Sequence, residues 1–216
     1  MKTLSIPYLP DLKTISLERA AECIDEFGTR FSVETLNWPQ LYGYRPLTTV
    51  SAAHSKTDLF LLYQVHGNCL RAVNTKDNEA VHEDSCVEFF VKTPESDDYF
   101  NFEFNCSGVC KAARHFKTRE NFAYLSTAEM AEIERWSSIG HRAFNELNGL
   151  FSWELCVRIP FKLMGIDSEH LPSKLLGNFY KCADATNQPH YVTWSPIATE
   201  RPDFHRPEFF GEIYLV

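Results

Sequence analysis

The chain has 216 residues, 44% of them hydrophobic and 14% aromatic, enough to enclose a sizeable core and to exclude a disordered polypeptide. Its formal net charge of -8, with no basic run anywhere, excludes non-specific attachment to DNA, RNA or an anionic membrane, each of which needs a cationic face. Seven scattered cysteines, an odd number, read as free thiols rather than a disulfide framework.

Along the chain, residues 1–39 read as an N-terminal extension with one short helix. The opening stretch MKTLSIPYLPDLK has no apolar h-region, so no signal peptide is expected, and the thiol count agrees with a cytoplasmic location. Ser16 is an N-cap, Gly28 ends the helix, and Leu17, Ala21, Ile24 and Phe27 share one face. Next come an aromatic cluster in NWPQLYGYRP (Trp38, Tyr42, Tyr44) and a nearly continuous apolar strand, Leu59 to Val65. In CVEFFVK, Val87, Phe89 and Val91 alternate with Glu88, Phe90 and Lys92. In FNFEFN, Phe100, Phe102 and Phe104 point inward while Asn101, Glu103 and Asn105 point out.

The turn TPESDD joins these two strands, and its Asp97 and Asp98 are the one calcium candidate, through carboxylates and backbone carbonyls. No HExxH pair occurs, and Cys106 and Cys110 lack the second pair a zinc site needs. Ser126 and Glu129 form a capping box ahead of Met130, Ile133 and Trp136, a second short helix. WELCVRIP then sends Trp153, Leu155, Val157 and Ile159 inward and Glu154 and Arg158 outward. The strands NFYKCAD, YVTWS and FFGEIYLV complete the chain. Many short alternating strands with few helices give an all-β fold: one antiparallel, jelly-roll-like β-sandwich domain over residues 1–216.

Pairing Lys92 with Tyr99 in the first hairpin sets Glu88 directly opposite Glu103. Like charges there destabilise, so a cation, a raised pKa with a shared proton or a polar ligand must compensate. Arg114, Arg158 and Lys92 are the available cations. Three outcomes stay open: ion pairs on a solvated sheet face, binding of a hydroxyl-rich ligand, or a retaining glycosidase, whose carboxyls stand about 5–5.5 Å apart. Trp194 follows the turn-like ATNQPH and precedes Pro196, a position from which an indole can stack on a sugar ring.

HEDSCVEFFVK, YFNFEFNCSGVCKAAR, GNFYKCADATNQPHYVTWSPI and PDFHRPEFFGEIYL together resemble the family 9 carbohydrate-binding modules, over residues 40–216. The resemblance implies a β-sandwich that binds a mono- or oligosaccharide without cleaving it, in polysaccharide or oligosaccharide catabolism, with structural calcium in some members. It places Glu88 at a sugar-binding acidic position and Asn101, Glu103 and Asn105 on the neighbouring binding face. Trp194 becomes one aromatic wall, and the place of the other is held by Val81 and His82. Arg114 is a further sugar-binding candidate. A hydrolase using Glu88 and Glu103 and a structural interaction domain are the alternatives. PDFHRPEFFG reads as a clamp, with Phe204, Phe209 and Phe210 inserted under the sandwich, Arg206 and Glu208 pairing locally or with the Glu88 face, and His205 and Arg206 the members that could reach the ligand.

Overall fold

The computed structural model describes residues 2–216. In chain order the strands are β1 (Thr3–Ile6), β2 (Thr29–Ser32), β3 (Thr35–Leu36), β4 (Leu47–His54), β5 (Asp58–Ala72), β6 (Cys86–Lys92) and β7 (Tyr99–Asn105). They continue as β8 (Cys110–His115), β9 (Phe122–Tyr124), β10 (Glu134–Ser137), β11 (Phe144–Pro160), β12 (Lys174–Cys182), β13 (Tyr191–Thr193) and β14 (Gly211–Leu215). Two helices, α1 (Leu17–Phe27) and α2 (Thr127–Met130), interrupt them. No described helix is long and apolar enough to cross a membrane.

The strands form a β-sandwich. One sheet has nine strands, in the order β1-β14-β12-β6-β7-β8-β9, with β13 and β3 attached beside β12; the other has five, β10-β11-β5-β4-β2. Pairing is antiparallel except between β1 and β14, which run parallel. That pair closes the sheet edge with the two ends of the chain, and residues 2–39 contribute to both layers through β1, β2 and β3.

Period-two alternation places the core. Val87, Phe89 and Val91 of β6, Phe102 and Phe104 of β7, and Trp153, Leu155, Val157 and Ile159 of β11 meet between the sheets. Behind the five-stranded sheet, α1 buries Ala20, Ala21 and Ile24 against Ala53, Phe60, Leu62 and Cys156. Its Ser16 side chain caps Arg19 N, and Gly28 N donates to Ile24 O at the other end. Phe27, expected on the buried face, is 60% exposed, because α1 rests on the sheet through Ala20 instead. The Ser126–Glu129 capping box forms, but α2 stops at Met130, and Trp136 lies in β10, where pairing with β11 takes over.

The largest departure concerns the outer face of β6 and β7. It is not solvated: Phe90, Tyr99, Tyr180, Phe204 and Phe210 form a second apolar cluster there. Asn101, Glu103 and Asn105 are accordingly buried beneath it. The clamp supplies much of this cover. Phe204 stacks on Tyr180 at 4.2 Å between ring centroids, Tyr180 Oη donates to Phe204 O at 3.1 Å, and Phe210 is buried beside them. Arg206 and Glu208 pair with each other.

Trp194 is a second correction. It is 3% exposed and packs edge-on to Phe31 and Phe179 in the inter-sheet core. Its ring presses so closely on Gly211 that any side chain there would collide with it. The indole has no face free for a sugar, since the residue continues the inward side of β13 rather than capping the adjacent loop.

Candidate functional site

The second cluster does not seal the outer face. Between the segments around Tyr42, Asp184 to Tyr191 and Arg201 to His205, a cleft of about 300 Å³ reaches down to β6, β7, β8 and β12. Its floor carries Glu88, Glu103, Lys111 and Cys182; its walls include Tyr42, Tyr191, Phe204 and His82. Tyr42 and Tyr191 meet edge to face at 4.7 Å, a half-exposed aromatic corner beside the polar floor. Trp38 stands behind the cleft, buried, its Nε1 donating to Thr199 O at 2.7 Å.

Sheet register makes the floor. Glu88 is directly opposite Glu103, as the hairpin pairing requires, and Glu103 is in turn opposite Lys111. Lys111 Nζ lies 3.2 Å from Glu103 Oε1 and 3.3 Å from Oε2, and His82 Nδ1 is 3.7 Å from Oε2. Asn101 Nδ2 donates to Glu103 Oε1 at 2.7 Å, while its Oδ1 lies 3.2 Å from His115 Nε2. Glu88 has no such cations. Its Oε1 instead accepts from the thiol of Cys182 at 3.1 Å.

These neighbours split the two carboxyls. Burial and then the Glu103 charge raise Glu88 well above the ordinary carboxylate range, so it is a neutral acid at neutral pH. Burial pushes Glu103 the same way, but His82 and Lys111 outweigh it and hold Glu103 below the usual value. Glu103 in return raises His82. The floor therefore offers a carboxylic acid that donates and accepts, a carboxylate that accepts, and an ammonium that donates, all facing one aromatic corner.

The other residues singled out by sequence lie elsewhere. Asn105 is fully buried and serves the framework: its Nδ2 donates to Asp84 Oδ2 at 2.9 Å and to Asn74 O at 3.1 Å. Its Oδ1 accepts from Ser107 N and Val109 N, closing the turn after β7. Asp84, the aspartate of DSCVEFF, is the centre of this network and also accepts from Arg71 Nη1 at 2.6 Å. Arg114 points away from the cleft. It pairs with Asp98 at 2.7 Å and lies over the rings of Phe100 and Phe116, because β8 places it opposite Phe100, on the other face from Glu103. Asp97 pairs with Lys117, so both turn carboxylates expected to hold calcium are occupied by cationic side chains.

Lys111, Tyr191, Asp184 and the segment Arg201 to Phe204 line the cleft without having been assigned to it from sequence; His205, expected near the ligand, and Tyr42 of the NWPQLYGYRP cluster line it as well. Lys111 had a legible signal: extending the hairpin register one strand further sets it against Glu103. Tyr191 opens the short strand β13, opposite Cys182, and the rest reach the cleft from irregular segments, whose side-chain directions follow no period.

The profile of carbohydrate-binding family 9 matches residues 22–215. A crystal structure of a candidate carbohydrate-binding protein from Bacteroides uniformis ATCC 8492 is 33% identical, with a TM-score of 0.90, covering 100% of this chain and 99% of that one. A family 9 carbohydrate-binding module from Caldicellulosiruptor kristjanssonii, in complex with glucose, shares the fold at 10% identity and a TM-score of 0.58, covering 100% of this chain and 96% of that one. The cellotriose complex of a family 9 module from the same organism gives 10% identity and a TM-score of 0.57, covering 99% and 93%. No curated protein matches the chain.

Proposed function

The chain belongs to carbohydrate-binding family 9, and we propose that its cleft binds a sugar residue without cleaving it. The observation that carries this reading is the meeting of a polar floor with an aromatic corner. Glu88, Glu103 and Lys111 supply matched donors and acceptors for neighbouring hydroxyls, and Tyr42 and Tyr191 border them with apolar ring surface. Two structures of the same fold hold glucose and cellotriose, so glucose and β-linked glucose oligomers are the first ligands to try. The cleft volume of about 300 Å³ suits one or two sugar rings rather than a long chain laid across a flat face.

A ligand that binds only the native state must raise the melting temperature with concentration. The full chain should therefore show a saturable thermal shift with a glucose-, xylose- or cellooligosaccharide panel, abolished by Glu103→Ala and weakened by Tyr42→Ala. A flat response across a broad glycan array, in folded protein, overturns the reading.

The opposed carboxyls favour a second reading, a retaining glycosidase with Glu88 as acid and Glu103 as nucleophile. Release of reducing ends from a glycan that binds, lost in Glu103→Gln, would select it. Binding with the glycan recovered intact selects the non-catalytic reading.

A further inference from the structure

Beneath the cleft, the outer faces of β6 and β12 bring together three ligating groups, two of them thiols that sugar recognition does not use. Cys86 and Glu88 are two residues apart on β6, hence on one face, and Cys182 of β12 sits directly opposite Cys86. The Cys182 Sγ is 3.1 Å and the Cys86 Sγ 3.9 Å from the same oxygen, Glu88 Oε1, and one donor atom from each residue lies within 4.8 Å of the others. All three residues are buried. Among the described residues this is the one group of three or more cysteine, histidine or acidic side chains so converged.

We propose that Cys86, Glu88 and Cys182 bind a single thiophilic divalent cation of the zinc class. The dimensions fit. A tetrahedral centre with metal–sulfur bonds of about 2.3 Å and metal–oxygen bonds of about 2.0–2.2 Å has sulfur–oxygen edges of roughly 3.5 Å and a sulfur–sulfur edge of roughly 3.8 Å. The two sulfur–oxygen distances, 3.1 and 3.9 Å, bracket the first value, so small side-chain rotations admit the ion. The ligands stand on adjacent, hydrogen-bonded strands in the interior of a nine-stranded sheet, which fixes their spacing before any ion arrives. Two sulfur ligands select a zinc-class ion over calcium or magnesium, which prefer all-oxygen shells.

Protein supplies three ligands, and the fourth position has a direction. Glu88 and Cys182 line the cleft, whereas Cys86 lies behind them, so the open coordination position faces the cleft and takes water or a ligand oxygen. On binding, both thiols and the Glu88 carboxyl surrender their protons to water, because thiolates and carboxylates are the coordinating forms. The proposal stands apart from the sugar reading: its readout is the metal alone, and either can fail without the other.

The test is a titration of the full chain, reduced with a phosphine and stripped of metal, with Cd²⁺. The expected result is a thiolate-to-cadmium charge-transfer band in the near ultraviolet that saturates at one equivalent and is displaced by Zn²⁺. Cys182→Ser should at least halve the band, whereas Cys156→Ala, beneath α1, should leave it unchanged. Absence of the band at one equivalent, or its persistence in the Cys86→Ser/Cys182→Ser double variant, overturns the proposal. X-ray absorption of the unmutated protein with one equivalent of Zn²⁺ decides the matter if the variants do not fold. A shell with two sulfurs supports the site; a shell of nitrogen and oxygen alone refutes it, as does a Cys86–Cys182 disulfide that survives the phosphine.

Discussion

Glu88 and Glu103 stand directly opposite each other on β6 and β7, and the fold removes their repulsion by giving them unlike neighbours. Glu103 receives Lys111, His82 and the Asn101 amide; Glu88 receives the Cys182 thiol. The pair is thus one anion and one neutral acid rather than two anions sharing a cation.

That asymmetry predicts unequal costs of neutralisation. Glu88→Gln replaces a neutral carboxyl by a neutral amide of the same shape and should change stability by less than about 1 kcal/mol. Glu103→Gln strands Lys111 and His82 without their counter-ion. Breaking a buried pair costs about 3–5 kcal/mol, and since Lys111 retains some solvent contact a loss of about 2–3 kcal/mol is expected. Urea denaturation of both variants at neutral pH measures the difference. Equal losses, or the reverse order, would mean that Glu88 carries the charge.

Asn105 and Phe104 are neighbours on β7 that face opposite clusters, and both should be costly to remove. Phe104→Ala empties a fully buried core position, worth about 3–5 kcal/mol. Asn105→Ala abandons an Asp84 oxygen and the Ser107 and Val109 amides inside the protein, at about 1–3 kcal/mol for each group left unsatisfied. Chemical denaturation should therefore show a loss of several kcal/mol for each. A near-neutral Asn105→Ala would show that this network reforms around water.

Trp194→Ala should unfold the protein at lower denaturant without touching sugar affinity per folded molecule. The indole fills the space between Phe31, Phe179 and Gly211, so its removal leaves a large cavity, about 3–5 kcal/mol. Calorimetric titration of the folded fraction with a glycan that binds the parent separates the two effects. Lost affinity at full stability would return Trp194 to the site.

The sandwich was legible because inward positions recur every second residue, and the β6–β7 register followed from matching FFVK to the YFNF segment across one turn. Alternation alone did not tell which side of β7 meets solvent. Asn101, Glu103 and Asn105 look exposed by polarity, yet the clamp and the segments around Tyr42 and Tyr191 cover them, a burial set by residues distant in sequence. Lys181 shows the same limit from the other side: a charged residue on the inward face of β12, fully enclosed, its Nζ donating to Cys182 O at 2.7 Å and lying 2.9 Å from His190 Nε2. Trp194 failed for a simpler reason, since a strand end beside a loop resembles a loop until its partner strands are known.

His205 gives the cleft wall a dependence on pH. It packs against Phe90, Tyr99 and His115, with Tyr99 Oη 2.9 Å from its Nδ1. Burial, then the His115 and Arg119 charges, push it down to about 3, so the folded ring stays neutral. An unfolded histidine takes up its proton near pH 6.5. Below about that value the unfolded chain binds a proton that the native chain refuses, so stability falls as pH drops from about 6.5 toward 3 and is unaffected above. His115 and His190 are lowered too and add to the slope; His82 is raised and acts oppositely, favouring the native state below its own pKa. The contribution of His205 is isolated by comparison with His205→Gln, which keeps a polar contact to Tyr99 but cannot titrate. Urea midpoints measured between about pH 4.5 and 7 should fall less steeply in the variant than in the parent. Parallel profiles would show that the His205 ring accepts its proton as readily in the folded wall as in the unfolded chain.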